Sequence, residues 1–255
     1  MTRAALLLWV WLAVAVRPVD AQGADRAFAR WVLAAAPPDA VLLADGPVDA
    51  PVLQEVQGEG LRPDVVVVEV PTLSDPEAVR ALASRHGLPL PDSVETFVPR
   101  LGARGSTDTP AGRVYTLADH VLDHWLEPGA LGRPLVAAVT LNPVVLGVKT
   151  DLVDRGATLA PASASGFDPE AAWATFADIR GEDFASPEAA PGTFDAGGVV
   201  LFQMLQTAVS FAQEGDPEAA ERAYVHAVAF AHASGRDGDP LVEIARTWID
   251  DALAP

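Results

Sequence analysis

The 255-residue chain contains no cysteine, which excludes disulfide scaffolds, thiolate zinc sites and cysteine nucleophiles together. Positive charge is also scarce: 17 Lys and Arg stand against 35 Asp and Glu, for a formal net charge of −18. That balance argues against a nucleic-acid partner, because duplex binding needs a basic face to displace counterions from phosphates. Catalytic signatures are missing too: there is no G-x-S-x-G elbow, no phosphate-cradling glycine loop and no S-x-x-K. Ser106, Ser163 and Ser165 lie in irregular segments with no histidine close by in sequence. Triad members meet in space, so this weakens a hydrolase reading only in part. What the chain does have is core material: 50% apolar and 20% charged residues are too hydrophobic for intrinsic disorder.

At the N-terminus, Thr2-Arg3 precedes an apolar run from Ala4 to Val16, followed by Arg17-Pro18-Val19-Asp20-Ala21. This pattern predicts a signal peptide over residues 1–21, cleaved after Ala21. The run is shorter than the roughly 20 apolar residues a membrane-spanning helix needs, and no second run is long enough to span. An uncleaved anchor is the plainer alternative. The expected location is extracytoplasmic, periplasmic or secreted, where ATP and reduced nicotinamide cofactors are scarce.

Beyond the leader, short apolar runs alternate with helical periodicity. Phe28, Trp31, Val32 and Ala35 predict a helix over 24–36 that Pro37-Pro38 terminates. Ala40 to Ala44 reads as a strand buried on both faces, broken by Asp45-Gly46-Pro47. Val52, Leu53 and Val56 predict a second helix. Asp64 to Val70 is the clearest strand, since its run of β-branched residues suits a pleated sheet. Ser74 is expected to cap a helix through Arg85, with Glu77 completing a capping box and Pro76 in the first turn.

Residues 88–113 show no periodicity and predict a long loop. A helix over Thr116 to Glu127 and a strand over Pro134 to Thr140 follow. Asn142-Pro143 then opens a short helix ended by Gly156, with a fourth strand at Ala157 to Ala160. The alternation predicts an α/β domain over 24–165 with a small, mainly parallel, three- to four-stranded sheet, a Rossmann-like layer with flanking helices.

From Asp168 onward the pattern is helical, predicting an α-helical tail over 166–255. Within it Ala208, Phe211, Gly215, Ala220, Tyr224 and Ala227 occupy tetratricopeptide-like spacings over 198–234. A single such unit reads equally as a helical hairpin packed on the α/β layer.

In parallel α/β sheets, ligands bind outside the carboxyl ends of the strands. That edge is expected to receive Asp45, Gly46 and Asp49 after the first strand, Glu69 at the end of the second, and Thr140 and Asn142 after the third. Carboxylates and an amide converging there suit a hard cation or the hydroxyls of a sugar. The plainer reading makes Asp45 and Asp49 caps of the next helix and Asn142 the cap of its own. His120 and His124 lie four apart on one helix, at the border of its apolar face, so both imidazoles could share a metal. A solvated border explains them equally, and no H-E-x-x-H is present. His86 looks like a helix C-terminal residue favoured by the dipole. No cofactor is implied; a divalent cation is the one candidate.

One stretch carries a family resemblance. Asp45-Gly46-Pro47-Val48-Asp49, then Leu53-Gln54-Glu55-Val56 and Arg62-Pro63-Asp64-Val65 before a hydrophobic strand, resembles the soluble C-terminal region of a family of uncharacterised bacterial multi-spanning membrane proteins. Arg133-Pro134-Leu135 and Gly156 to Pro161 recur in the same order, so the likeness covers roughly residues 25–165. Members of that family carry an N-terminal part similar to C-type glycosyltransferases, where their acidic catalytic residues lie. Nothing here matches that part, so the resemblance implies fold and extracytoplasmic location, and no transferase activity.

Two functional expectations follow. The first is a non-catalytic secreted or periplasmic module that binds a protein or glycan partner in envelope-related assembly. The alternative is an enzyme acting on a sugar or phosphorylated substrate at the sheet's carboxyl edge through Asp45, Asp49 and Glu69, with or without a divalent cation. The leader reading predicts that N-terminal sequencing of the exported protein begins at Gln22; a retained Met1 would establish an anchor instead.

Overall fold

Every residue from Ala40 to Ala44 is apolar, and strand β1 (Val41–Ala44) is buried at each of its positions. In the computed structural model, which describes residues 22–44, 49–101, 114–142, 144–147, 150–163, 166–185 and 194–254, β1 lies between two parallel neighbours. These are β2 (Val66–Glu69) on one side and β5 (Leu135–Ala138) on the other. Side chains alternate strictly between the faces, as the two-residue strand period requires. Leu42, Ala44, Val67, Val136 and Ala138 enter one core, and Val41, Leu43, Val66, Val68, Leu135 and Ala137 the other.

The connections cover both faces. Helix α1 (Gln22–Ala35) and α2 (Ala50–Gly58) pack in the first core. The second core holds α3 (Pro76–His86) and α4 (Leu117–Leu126). Between these last two, β3 (Arg100–Leu101), inside the segment 88–113 expected to be a loop, pairs antiparallel with β4 (Val114–Tyr115) just beyond it. Residues 102–113, including Ser106, lie outside the described residues.

The α/β class stands, but the sheet is larger than expected and not purely parallel. Among the described residues it has six strands in the order β2-β1-β5, then β7 (Thr158–Ala162), β6 (Asp151–Asp154) and the edge β8 (Gly166–Phe167). The fourth strand expected at Ala157 to Ala160 is β7 (Thr158–Ala162), and it runs antiparallel to β5. The reason is a hairpin: β6 (Asp151–Asp154) turns back through Gly156, at φ 82°, into β7. Gly156 therefore sits in a strand-to-strand turn and terminates no helix; the helix after Asn142 is only α5 (Val144–Gly147). Strand β6 escapes a periodicity reading because Asp151 and Asp154 bracket just two apolar residues. The edge strand β8 (Gly166–Phe167) is too short to leave a pattern.

A further correction concerns the cap of α3. Asp75, not Ser74, is the N-cap: its carboxylate accepts the Glu77 N–H at 2.9 Å. Ser74 instead ends a 3-10 turn over Val70–Ser74 that Pro71 helps to start.

The later elements among the described residues are helical. Short α6 (Pro169–Ala174) leads to the hairpin of α7 (Ala196–Gln213) and α8 (Pro217–Ala233), turned at Gly215, and to α9 (Pro240–Leu253). Leu201, Met204, Phe211, Phe230 and Ile249 share one buried cluster with the sheet residues Leu42 and Val136. The tail therefore closes the first face of the sheet. No helix among the described residues is long and apolar enough to cross a membrane.

Arg62 ties the start of this layer together. Its guanidinium donates to the carbonyls of Leu33 (2.9 Å), Ala36 (2.7 Å) and Pro37 (2.9 Å), at and just beyond the end of α1. Two further bonds go to the Asp64 carboxylate, at 2.9 and 2.8 Å. Those bonds, joined by the Asp39 N–H, hold the Asp64 carboxyl well below the usual carboxylate range. One side chain thus satisfies orphan carbonyls at a helix C-terminus and fixes the entry to β2. Arg62→Ala should lower stability by about 2–3 kcal/mol in urea denaturation, with Arg62→Lys recovering only part because an ammonium lacks the planar fork.

Candidate functional site

Strand order determines where a crevice can form. From β1 the chain crosses through α2 to β2 on one side, and from β2 it crosses through α3 and α4 on the opposite face to β5 on the other side. The chain leaves β5 toward β6 and β7, away from β2, so the gap between the carboxyl ends of the neighbouring strands β1 and β5 is the topological switch point, the position where open α/β sheets bind ligands. Ala44 is the last residue of β1 and pairs with Glu69, while Leu43 pairs with Ala137 one residue before β5 ends.

Asp49 and Thr140 meet across this gap. Asp49 is 2% exposed, and its Oδ2 accepts the hydroxyl of Thr140, two residues beyond β5. Asp49 occupies the N-cap position of α2, but its side chain makes no capping bond to that helix. Only its backbone carbonyl does so, accepting Leu53 N–H at 2.9 Å. The carboxylate is therefore committed to the strand edge, where a capping role would have turned it toward helix amides.

The other edge residues flank this contact. Glu69 ends β2 half-buried and makes no side-chain capping bond to the 3-10 turn that follows, although its carbonyl accepts the Thr72 hydroxyl at 2.6 Å. Asn142 stands before α5, with its carbonyl accepting Val145 N–H at 2.9 Å. Asp45 and Gly46 lie outside the described residues. The edge thus offers carboxylate, hydroxyl and amide groups, a set suited to hydrogen-bonding a polar ligand. Among the described residues, no three His, Asp or Glu side chains gather to hold a metal ion.

The two histidines of α4 are engaged separately. His120 Nε2 lies 2.6 Å from Ser93 Oγ, and its ring stacks on Phe97 at 5.2 Å. His124 Nδ1 lies 3.4 Å from a Glu127 carboxylate oxygen. Ser93 and His120 have the separation of a nucleophile and its base. Among the described residues, however, no carboxylate accepts from His120 Nδ1 to orient the ring. His86 does end α3 as expected, but burial, reinforced by Arg85 and Arg133, pushes its pKa down from the ordinary imidazole value.

Sequence reasoning missed two features. One is a cleft of about 1350 Å³ along α1, lined by Arg30, Trp31, Glu59, Arg155, Thr158 and Asp178 among others. It lies on the first face of the sheet, away from the Asp49 contact. Its Trp31 donates to Thr175 Oγ at 3.1 Å, so the indole wall is held in place. The other is Asp154, a buried carboxyl at the end of β6. The bracketing acids of Asp-Leu-Val-Asp were its only trace in sequence.

Fold and edge together define an α/β layer whose β1–β5 carboxyl edge carries the Asp49–Thr140 contact, with a helical tail closing one face. No family model, no curated protein and no solved structure matches the chain.

The Asp49–Thr140 contact is testable directly. Thr140→Val removes a hydroxyl donor from a buried carboxylate and should cost about 1–2 kcal/mol in chemical denaturation, with Thr140→Ser recovering most of it.

Proposed function

We propose that the chain is a non-catalytic extracytoplasmic binding module that takes a glycan or protein partner in envelope-related assembly, with the carboxyl edge of β1 and β5 as its binding site. The buried Asp49 carboxylate, bridging to Thr140 at the topological switch point, carries this reading. A fixed acceptor and hydroxyl beside Glu69 and Asn142 match the hydroxyl-rich surface of a sugar better than an apolar ligand. The leader-like N-terminus and the resemblance to envelope membrane proteins support the location. The hairpin of α7 and α8, with its tetratricopeptide-like spacing, would buttress the layer.

Isothermal titration with soluble envelope oligosaccharides tests the proposal. Binding is expected, with Asp49→Asn weakening it about tenfold, or about 1.4 kcal/mol, and with calcium leaving both affinity and Tm unchanged. A calcium-dependent rise in Tm would favour the enzyme reading with a divalent cation. Turnover of a glycan or ester would overturn the non-catalytic reading, as would labelling of Ser93 by a fluorophosphonate, which would make Ser93 and His120 a working pair.

A further inference from the structure

Asp154 is the last residue of β6, is 8% exposed, and its side chain meets α7 through a single partner, Gln203. Its Oδ1 accepts the Gly156 N–H at 2.9 Å, and its Oδ2 accepts only a long bond from Gln203 Nε2 of α7, at 3.4 Å. The surroundings are otherwise neutral. Strand β7 places Leu159 opposite it, β8 places Phe167 opposite it, and Ala172 of α6 and Thr175 just after that helix lie against the Gly156 turn. Helix α7 contributes Gln203, with Thr207 one turn on bonded back to the Gln203 carbonyl at 2.8 Å.

The ionisable neighbours are occupied elsewhere. Arg155 is exposed and lines the α1 cleft, and Asp151 is exposed at the far end of β6. Asp168 donates its backbone N–H to the Asp154 carbonyl while its side chain caps α6 through Ala171 N–H. Glu170, on α6, is exposed. Among the described residues no cation pairs with Asp154.

Burial without a counter-charge dominates, outweighing the Gly156 and Gln203 hydrogen bonds, and pushes the Asp154 carboxyl up to about 7. Across the junction, Gln203 Oε1 is buried with no hydrogen-bond partner. The ionised state therefore buries a charge beside an unused carbonyl oxygen. A proton on Oδ2 removes the charge and, once the amide turns over, supplies the donor that Oε1 lacks.

We propose that Asp154 is a proton-operated clamp between sheet and helical tail: the neutral carboxyl holds β6 to α7 through Gln203, and ionisation loosens that junction while the opposite face of the sheet stays closed. The direction follows from linkage. The folded state retains a proton that the unfolded chain has already released, so the contribution to stability is greatest below the ordinary Asp range. It declines as pH rises toward 7 and is flat above.

Carbon-13 NMR of the Asp carboxyls, combined with amide hydrogen exchange corrected for intrinsic rates, tests the clamp on the intact chain. The Asp154 resonance should titrate with a midpoint near 7. The opening constant of α7 amides should rise roughly a hundredfold between about pH 5 and pH 8, while α4 amides on the opposite face keep their protection. Asp154→Asn, which donates to Gln203 at every pH, should abolish the α7 effect. An Asp154 midpoint below about 5, equal α7 protection at both pH values, or a wild-type pH response in Asp154→Asn would each overturn the proposal.

Discussion

Burial of β1 on both faces and along both edges is the constraint on which the rest of the structure depends. A strand flanked by two parallel partners must be reached by crossovers, and a right-handed crossover to the left and another to the right have to lie on opposite faces. Helix α2 therefore covers one face, and α3 with α4 covers the other. The same geometry makes the carboxyl edge of β1 and β5 the topological switch point. Asp49 and Thr140, separated by 91 residues in sequence, come within bonding distance there because β1 and β5 are direct neighbours.

The face under α1 and α2 is too wide for those two helices alone. Strands β7, β6 and β8 extend the sheet beyond β5, and α6 to α9 bring the apolar surface needed to cover the extension. Alanines on α7 and α8 let the helices approach closely, with Ala208, Ala220, Ala223 and Ala227 all fully buried. Polar groups inside this second junction are few, and each has consequences. Gln203, Thr207 and Asp154 form a short polar seam between strand and helix, where a low local dielectric magnifies both a good hydrogen bond and an unmet one.

Part of the candidate site was legible from residue order alone. Asp49, Glu69, Thr140 and Asn142 lie at or beyond the ends of apolar runs that read as strands, and the carboxyl-edge rule then gathers them. Whether Asp49 would cap α2 or cross the edge could not be read, because both roles use the same residue type at the same place in the chain. His120 and His124 show the opposite case. Helical spacing correctly puts them on one side of α4, yet the neighbours that claim them, Ser93 and Phe97 for one and Glu127 for the other, depend on how the 88–101 segment folds back.

The sequence by itself determined the alternation of strands and helices, the two-faced burial of β1 and β5, the helices of the tail after Asp168, and the acidic charge. These are properties of local pattern, where a period of 2 or 3.6 residues and the placement of Pro, Gly and Asp decide the outcome over a few positions. Only the tertiary structure decided that the sheet has six strands of mixed direction, that Arg62 closes α1, that Asp49 bonds Thr140, and that Asp154 lies uncompensated against Gln203. Each of these rests on a long-range contact. The short acidic segment Asp151–Asp154 becomes a strand only because β7 and β8 offer it hydrogen-bonding partners, and a carboxyl becomes unusual only when a helix about 50 residues away removes it from water.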